Sequence, residues 1–162
     1  MNERWVVNAS PIISLARIGC AELMLDLYSQ VVVPYGVYEE IAACSVVDPA
    51  VSWIRRHESL LVREIAIPAT VSEWNLGKGE AQVLAYAYLN KAFTASIDDR
   101  PAKRCAEALS IRVCGTIALI VEAKRRQLVP CASALLVELR ANGFRMTESL
   151  FAKALSLSNE AS

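Results

Sequence analysis

Four acidic side chains and one amide stand at positions in this chain that point to chemistry rather than solubility. Glu80 lies near the start of Gly77-Lys-Gly-Glu-Ala-Gln-Val-Leu-Ala-Tyr-Ala-Tyr-Leu89, an otherwise largely apolar stretch. Val83, Leu84 and Ala87 follow it at i+3, i+4 and i+7, so on a helix all four share the core-facing stripe. A charge on such a stripe is expensive unless a cation or hydrogen bonds satisfy it. Asp98-Asp99 closes the next hydrophobic run, Ala92-Phe-Thr-Ala-Ser-Ile97. Glu40 lies about 60° from Val37 on a helical wheel at roughly 100° per residue, bordering the apolar face, whereas Glu39 falls on the far side. Asn8 ends the first apolar run and offers a neutral amide oxygen. Oxygen donors at element ends on apolar supports suit a hard divalent cation.

Each of these residues also has a plainer role. A carboxylate in the first turn of a helix favours its dipole, which serves for Glu80. Asp98 or Asp99 can N-cap the helix announced by Pro101, one capping while the other binds. Glu40 can form a boundary salt bridge, and Asn8 can hydrogen-bond the turn with Ser10.

The elements that must carry these groups alternate. Trp5–Asn8 reads as a strand, Ser10-Pro11 as an N-cap with proline at the first helical position, and Ile12–Ile18 as the helix, ended by Gly19. A second helix spans Ala21–Tyr28. Val31–Pro34 reads as a buried strand and Tyr35–Cys44 as a helix. Asp48-Pro49 starts a helix to Arg56, and Leu60–Ile67 reads as a third strand closed by Pro68. A helix from Glu80 to Asn90, a strand over Ala92–Ile97, a helix from Pro101 to Leu109 and a strand over Ile111–Cys114 follow. Three helices, Ile117–Gln127, Ala132–Ala141 and Glu148–Leu157, complete the domain, leaving Ser158–Ser162 as a frayed tail. This alternation predicts one domain, residues 1–157, with a three-layer α/β/α architecture around a parallel sheet of about five strands. Functional groups then gather beyond the carboxyl ends of the strands, where four separate segments can bring the acids together.

Composition narrows the classes. The 162 residues are 54% hydrophobic and 21% charged, with a mean hydropathy of +0.32, which suits buried parallel strands. No apolar run reaches the roughly 18–20 residues needed to span a bilayer. Met1-Asn-Glu-Arg-Trp5 lacks the pattern of a secretory leader, so a cytoplasmic location without membrane association is expected. The excess apolar surface predicts a homo-oligomer, most simply a dimer. Seventeen basic residues balance seventeen acidic ones, so a polyanion partner must use local patches. Arg100, Lys103 and Arg104 form one and Lys124-Arg125-Arg126 another; the alternative for both is a solvated helix face. Five scattered cysteines without a Cys-x-x-Cys exclude a zinc site and a disulfide framework. The single histidine, His57, excludes multi-histidine metal sites, and nothing near it suggests a nucleophile.

Read in order, Val6-Val-Asn-Ala-Ser-Pro-Ile-Ile-Ser-Leu-Ala-Arg-Ile-Gly19, Val33-Pro-Tyr-Gly-Val-Tyr-Glu-Glu-Ile41, Gly79-Glu-Ala-Gln82, Ile97-Asp-Asp-Arg-Pro-Ala-Lys-Arg-Cys-Ala106 and Gly115-Thr-Ile-Ala-Leu-Ile-Val-Glu-Ala-Lys124 resemble a PIN domain of the compact prokaryotic kind. The resemblance covers residues 6 to about 157. It implies a magnesium- or manganese-dependent nuclease acting mostly on RNA, single-stranded RNA by expectation, and many relatives are toxins held by an antitoxin protein. The family's acidic set falls on Asn8, Glu40, Glu80 and Asp98-Asp99, with Asp99 the closer match to its last acid. Glu40, Glu80, Asp98 and Asp99 are thus the expected catalytic residues, and Asn8, Glu80, Asp98 and Asp99 the expected metal ligands. Ser10, Arg100, Lys103, Arg104 and Thr116 are the expected nucleic-acid contacts. Active relatives usually hold aspartate where this chain has Asn8, which removes one negative charge from the cluster. A catalytically weakened RNA- or protein-binding module is therefore the alternative. A phosphoacceptor signalling domain fits poorly, because its acidic pair should follow the first strand.

Overall fold

The computed structural model describes residues 3–160. Five parallel strands, β1 (Arg4–Val7), β2 (Gln30–Pro34), β3 (Leu61–Val62), β4 (Phe93–Ser96) and β5 (Val113–Cys114), form one sheet in the order β3-β2-β1-β4-β5. Its centre is continuous apolar chain: Val6, Val7, Val33, Ala95 and Ile97 are fully buried, as a sheet covered on both faces requires. The helices are α1 (Ala9–Arg17), α2 (Leu23–Leu27), α3 (Tyr35–Ala42), α4 (Pro49–Arg56), α5 (Ala69–Ser72), α6 (Lys78–Leu89), α7 (Arg100–Ala108), α8 (Thr116–Arg125), α9 (Ala132–Ala141) and α10 (Glu148–Leu157). One packing group gathers α1, α3, α4 and α6; the other gathers α2, α9 and α10 around α8. The result is the three-layer α/β/α arrangement expected from the alternation.

The strand order supplies what alternation alone cannot. Connections leave β1 toward β2 and β3 on one side, and those around β4 and β5 lie on the other, so the winding reverses between β1 and β4. A crevice opens beyond the carboxyl ends of the strands at such a reversal. Asn8 follows β1 directly, and Asp98 follows β4 after Ile97.

Several boundaries differ from the expected ones for local reasons. Helix α1 begins at Ala9 with Asn8 as its N-cap, so Ser10 is not the cap and Pro11 is the third helical residue; that position has no intrahelical partner for an N–H in any case. Helix α6 begins at Lys78, with Gly77 as its N-cap, rather than at Glu80. Strand β3 shrinks to two residues because its partner β2 ends at Pro34, leaving only Leu61 and Val62 opposite a strand. Strand β5 shortens at its start instead, opening at Val113 opposite Ala95 although β4 reaches back to Phe93. The short helix α5 lies in a stretch without an element in the sequence reading.

The expected loose end from Ser158 is also corrected, as far as Glu160; Ala161 and Ser162 lie outside the described residues. Ser158 is buried. Glu160 N–H donates to Leu155 O (2.8 Å) and Asn159 N–H to Ser156 O, with Asn159 at φ 60°, which is the Schellman closure of α10. The Glu160 carboxylate then accepts from Ala132 N–H (2.7 Å) and Ser133 N–H (2.8 Å), capping α9 from outside, and pairs with Lys124 (3.5 Å). These backbone donors hold its pKa down at about 2, against an ordinary 4.5.

A depressed carboxyl stabilises the fold fully above its ordinary pKa and loses that contribution as pH falls through its folded value. Glu160→Gln is therefore expected to melt about 2–8 °C below the parent at pH 7, from about 1–2 kcal/mol of capping at roughly 2–4 °C per kcal/mol. The gap should close as pH is lowered from 4.5 toward 2. Equal melting temperatures at pH 7 would show that the tether contributes nothing.

Candidate functional site

At the reversal point the rim of the sheet is built from the starts of helices. Asn8 ends β1 and is only 4% exposed. Its backbone N–H donates to Ser96 O (3.0 Å), extending the β1–β4 ladder by one step. The side chain does not cap α1, and its Oδ1 is buried with no hydrogen-bond partner. Leaving a buried acceptor unsatisfied costs about 1–3 kcal/mol.

Three carboxylates meet three helix N-termini here. Glu80 Oε2 accepts from Gly77 N–H (3.2 Å) at the start of α6; glycine has no side chain to return the bond, so this is half of a capping box. Asp99 is the N-cap of α7, its Oδ2 accepting from Ala102 N–H (3.0 Å). Asp98 Oδ1 accepts from Thr116 N–H (2.8 Å) at the first residue of α8. Its Oδ2 accepts from Thr116 Oγ1 (2.6 Å) and Ser10 Oγ (3.2 Å). Asp98 thus ties β4 to α1 and α8, using about three of the roughly four lone-pair positions of a carboxylate.

Glu40 arrives from α3, held against α6 by a close approach of backbones. Gly36 N–H donates to Gln82 Oε1 (2.7 Å), and a Cβ on Gly36 would stand 2.6 Å from that oxygen. A Cβ on Gly79 would stand 3.2 Å from Glu40 Oε2. Glu40 therefore reaches the start of α6 beside Glu80, while its neighbour Glu39 turns away to pair with Lys78. Gln82 is the positioning residue the sequence reading passed over. Its signal was a lone polar side chain on an apolar helix, buried to 8% exposure.

The electrostatics follow from this placement. Burial raises the pKa of Glu80 above the ordinary range, the charge of Asp99 raises it further, the Gly77 N–H opposes the rise, and the charge of Glu40 adds to it. Val83, Leu84 and Ala87 are buried below Glu80, as the shared stripe requires. Yet among the described residues no three of the His, Cys, Asp and Glu side chains lie close enough to form one ion cage. The physical reason is visible in the bonding: each of the three carboxylates is drawn to a different helix start. The expected tight four-ligand cluster is corrected to a looser set.

These groups line one end of a cleft of about 1960 Å³, which Asn8, Ser10, Glu40, Glu80, Asp98, Asp99, Arg100 and Lys103 all reach. Thr116 does not contact a ligand there, since it is fully buried and occupied with Asp98. Arg104 is exposed but does not line the cleft. The Lys124-Arg125-Arg126 run is used internally: Lys124 bonds Pro130 O and pairs with Glu160, Arg125 pairs with Glu122, and Arg126 bonds Glu122, Glu3 and Leu27 O. A family model described as a PIN domain matches residues 4–160.

The chain belongs to the PIN domain family. No curated protein and no solved structure matches it. The family suggests a nuclease-like fold that binds nucleic acid, and PIN domains generally depend on a divalent metal. The residues of this PIN domain fit such an ion by two observations. Asn8 Oδ1 is an orphaned, buried oxygen, and Glu80 carries the unrelieved charge of two neighbouring carboxylates. All donors are oxygens, as a hard cation prefers, and magnesium commonly takes only one or two carboxylates and keeps waters for the rest. Among the described residues, no helix is long and apolar enough to cross a membrane. Burial raises the thiols of Cys20, Cys105 and Cys114, the last pushed up to about 12.

A carboxyl whose folded pKa is raised binds its proton more tightly in the folded chain, so stability declines as pH rises above its ordinary 4.5 and stays lower beyond. In metal-free protein, Glu80→Gln is expected to remove that decline, so that its melting temperature relative to the parent is higher at pH 7 than at pH 4. A variant that melts lower than the parent at pH 7 and keeps the parent's slope would contradict the crowding of charge at this site.

Proposed function

We propose that this PIN domain is a magnesium- or manganese-dependent endoribonuclease acting on single-stranded RNA. The observation that carries the proposal is the buried, unpartnered Asn8 Oδ1 beside a Glu80 whose charge Asp99 and Glu40 crowd. Glu80, Asp99 and Asn8 would hold the ion, with Asp98 completing the set through its remaining lone pair. When bound, the ion supplies an acidified water and offsets charge on the phosphodiester. Glu40, exposed beside the start of α6, would serve as the proton acceptor at its carboxylate. Asp98, clamped by Ser10 and Thr116, keeps the end of β4 in register with the starts of α1 and α8. Arg100 and Lys103, on the helix that Asp99 caps, reach the same cleft and bind phosphate oxygens beside the cluster.

The resemblance to toxins supports a role as the toxin of a toxin–antitoxin pair, with an antitoxin protein as partner, a cytoplasmic location and a homodimer as the assembly. Exposed apolar side chains such as Val46, Val47 and Val137 support a partnered surface. A second reading has a specific observation in its favour. Asn8 leaves the cluster one charge short, and no three acids close on one point, which suits a PIN fold that binds RNA or protein and turns over weakly.

Incubation of single-stranded RNA with Mn²⁺ is expected to give cleavage that falls about 10²–10⁴-fold, the range typical of a lost catalytic group, in Glu80→Gln and in Asp99→Asn. Cleavage unchanged in both variants would remove the nuclease assignment. Asn8→Asp separates the two readings. In a weakened enzyme it lowers the melting temperature without metal, because it buries an added charge, and raises both Mn²⁺ affinity and cleavage. In a binding module it leaves cleavage absent while RNA binding persists.

A further inference from the structure

The acidic cluster occupies only one end of the cleft, and the remaining walls hold a different chemistry. At about 1960 Å³, the space exceeds the roughly 300–1,000 Å³ of small-molecule sites. Its far wall is the arm formed by the turn after α9 and by α10. Phe144 and Met146 in the turn are half-buried, and Arg145 between them is exposed. Helix α10 turns Leu150, Lys153, Ala154 and Leu157 into the same cleft, a set spaced three or four apart and hence one face. Leu150 and Leu157 are 41% and 54% exposed.

Charge sorts along these walls. Of the other cations lining the cleft, Arg17, Arg125 and Arg140 are paired with carboxylates and Arg112 is bonded to Lys91 O. Among the described residues, Arg100, Lys103, Arg145 and Lys153 form no ion pair, and all four line this cleft. Unpaired positive charge therefore stands on both walls, interleaved on the far one with apolar surface, while unrelieved negative charge is confined to the end beyond the strands.

We infer that the α9–α10 arm is the second wall of a channel for single-stranded RNA. Arg145 and Lys153 hold backbone phosphates opposite Arg100 and Lys103, and Phe144, Met146 and Leu150 receive base faces. This rests on the ribonuclease reading for the identity of the polymer, but binding does not depend on turnover. Alternating cationic and apolar groups fit a strand whose bases are unpaired and available for stacking, since a duplex presents phosphates without base faces. An acidic peptide would match the cations but leave the half-buried aromatic and methionine without a partner of similar flatness.

The test is fluorescence anisotropy of a short single-stranded RNA with the full chain in EDTA, where no cleavage interferes, across a salt series. The Arg145→Ala/Lys153→Ala double variant is expected to lower the slope of log affinity against log salt by about 1.4, from roughly 0.7 per phosphate contact on a single strand. Phe144→Ala is expected to weaken binding several-fold at every salt concentration with the slope unchanged, its melting curve confirming the fold. Arg55→Ala/Arg56→Ala, which removes equal charge from α4 outside the cleft, should leave the slope as it was. A double variant with the parent's slope and affinity, or polyglutamate competing as well as RNA, would overturn the inference. Loss of cleavage in Glu80→Gln with binding untouched by the arm variants would sink the channel and leave the nuclease standing. Arm-dependent binding without any cleavage would do the reverse.

Discussion

The site depends on one constraint: the starts of three helices, α6, α7 and α8, share a single rim, and each is met by its own carboxylate. A helix N-terminus presents unpaired N–H groups and about half a positive charge. Three of them converging would repel one another and leave donors dry without Glu80, Asp99 and Asp98 to receive them. Conversely, three carboxylates in so small a region would be protonated or driven apart without those donors. The acids and the helix starts stabilise each other, which lets the rim stand as a folded structure before any ion arrives. The same bonding keeps the acids from collapsing into a cage, because each is anchored to a different backbone.

That balance requires backbones to approach closely, and glycine is where it shows. Gly115 receives Asp98: a Cβ there would lie 2.9 Å from Oδ1 and 3.4 Å from Lys103 Nζ, so any larger residue would push the carboxylate off the start of α8. Gly36 does the same for Gln82 between α3 and α6. In neither case is an unusual φ involved; the missing side chain is the requirement. These contacts carry the position of Glu40, which no local hydrogen bond of its own fixes, through helix packing to the cluster.

Much of this was legible in the sequence, and the illegible part has identifiable causes. The buried stripe under Glu80 and the proline after Asp99 announced both groups, because helical period and capping are local rules. The helices over 132–141 and 148–157 were bounded correctly for the same reason. Strand order was not local, and so the convergence at β1 and β4 could be hypothesised but not read. Helix ends were legible where glycine marks them, at Gly19 and Gly143, but Ser110 and Gln127 make the same left-handed closure without it. The tail was misjudged because Glu160 caps a helix 28 residues earlier, a contact no spacing rule predicts. The family resemblance puts Thr116 on the ligand, whereas burial and the Asp98 bonds make it a support.

Asn8 is the point at which structure and chemistry pull in different directions. An aspartate there would be a fourth charge beside Glu80, Asp98 and Asp99, in a position only 4% exposed and without a helix N–H left to receive it, since the side chain does not cap α1. A buried charge so placed is tolerable chiefly when a cation is present. The amide keeps an oxygen aimed at the same place at the cost of one unsatisfied acceptor, about 1–3 kcal/mol rather than the larger penalty of an isolated ion. On the proposed metal-dependent reading, the amide would favour the metal-free fold at the expense of ion affinity. On the ribonuclease reading proposed above, its chemistry would depend on how far RNA phosphates, drawn in along the cationic walls, supply the remaining ligands that the protein does not.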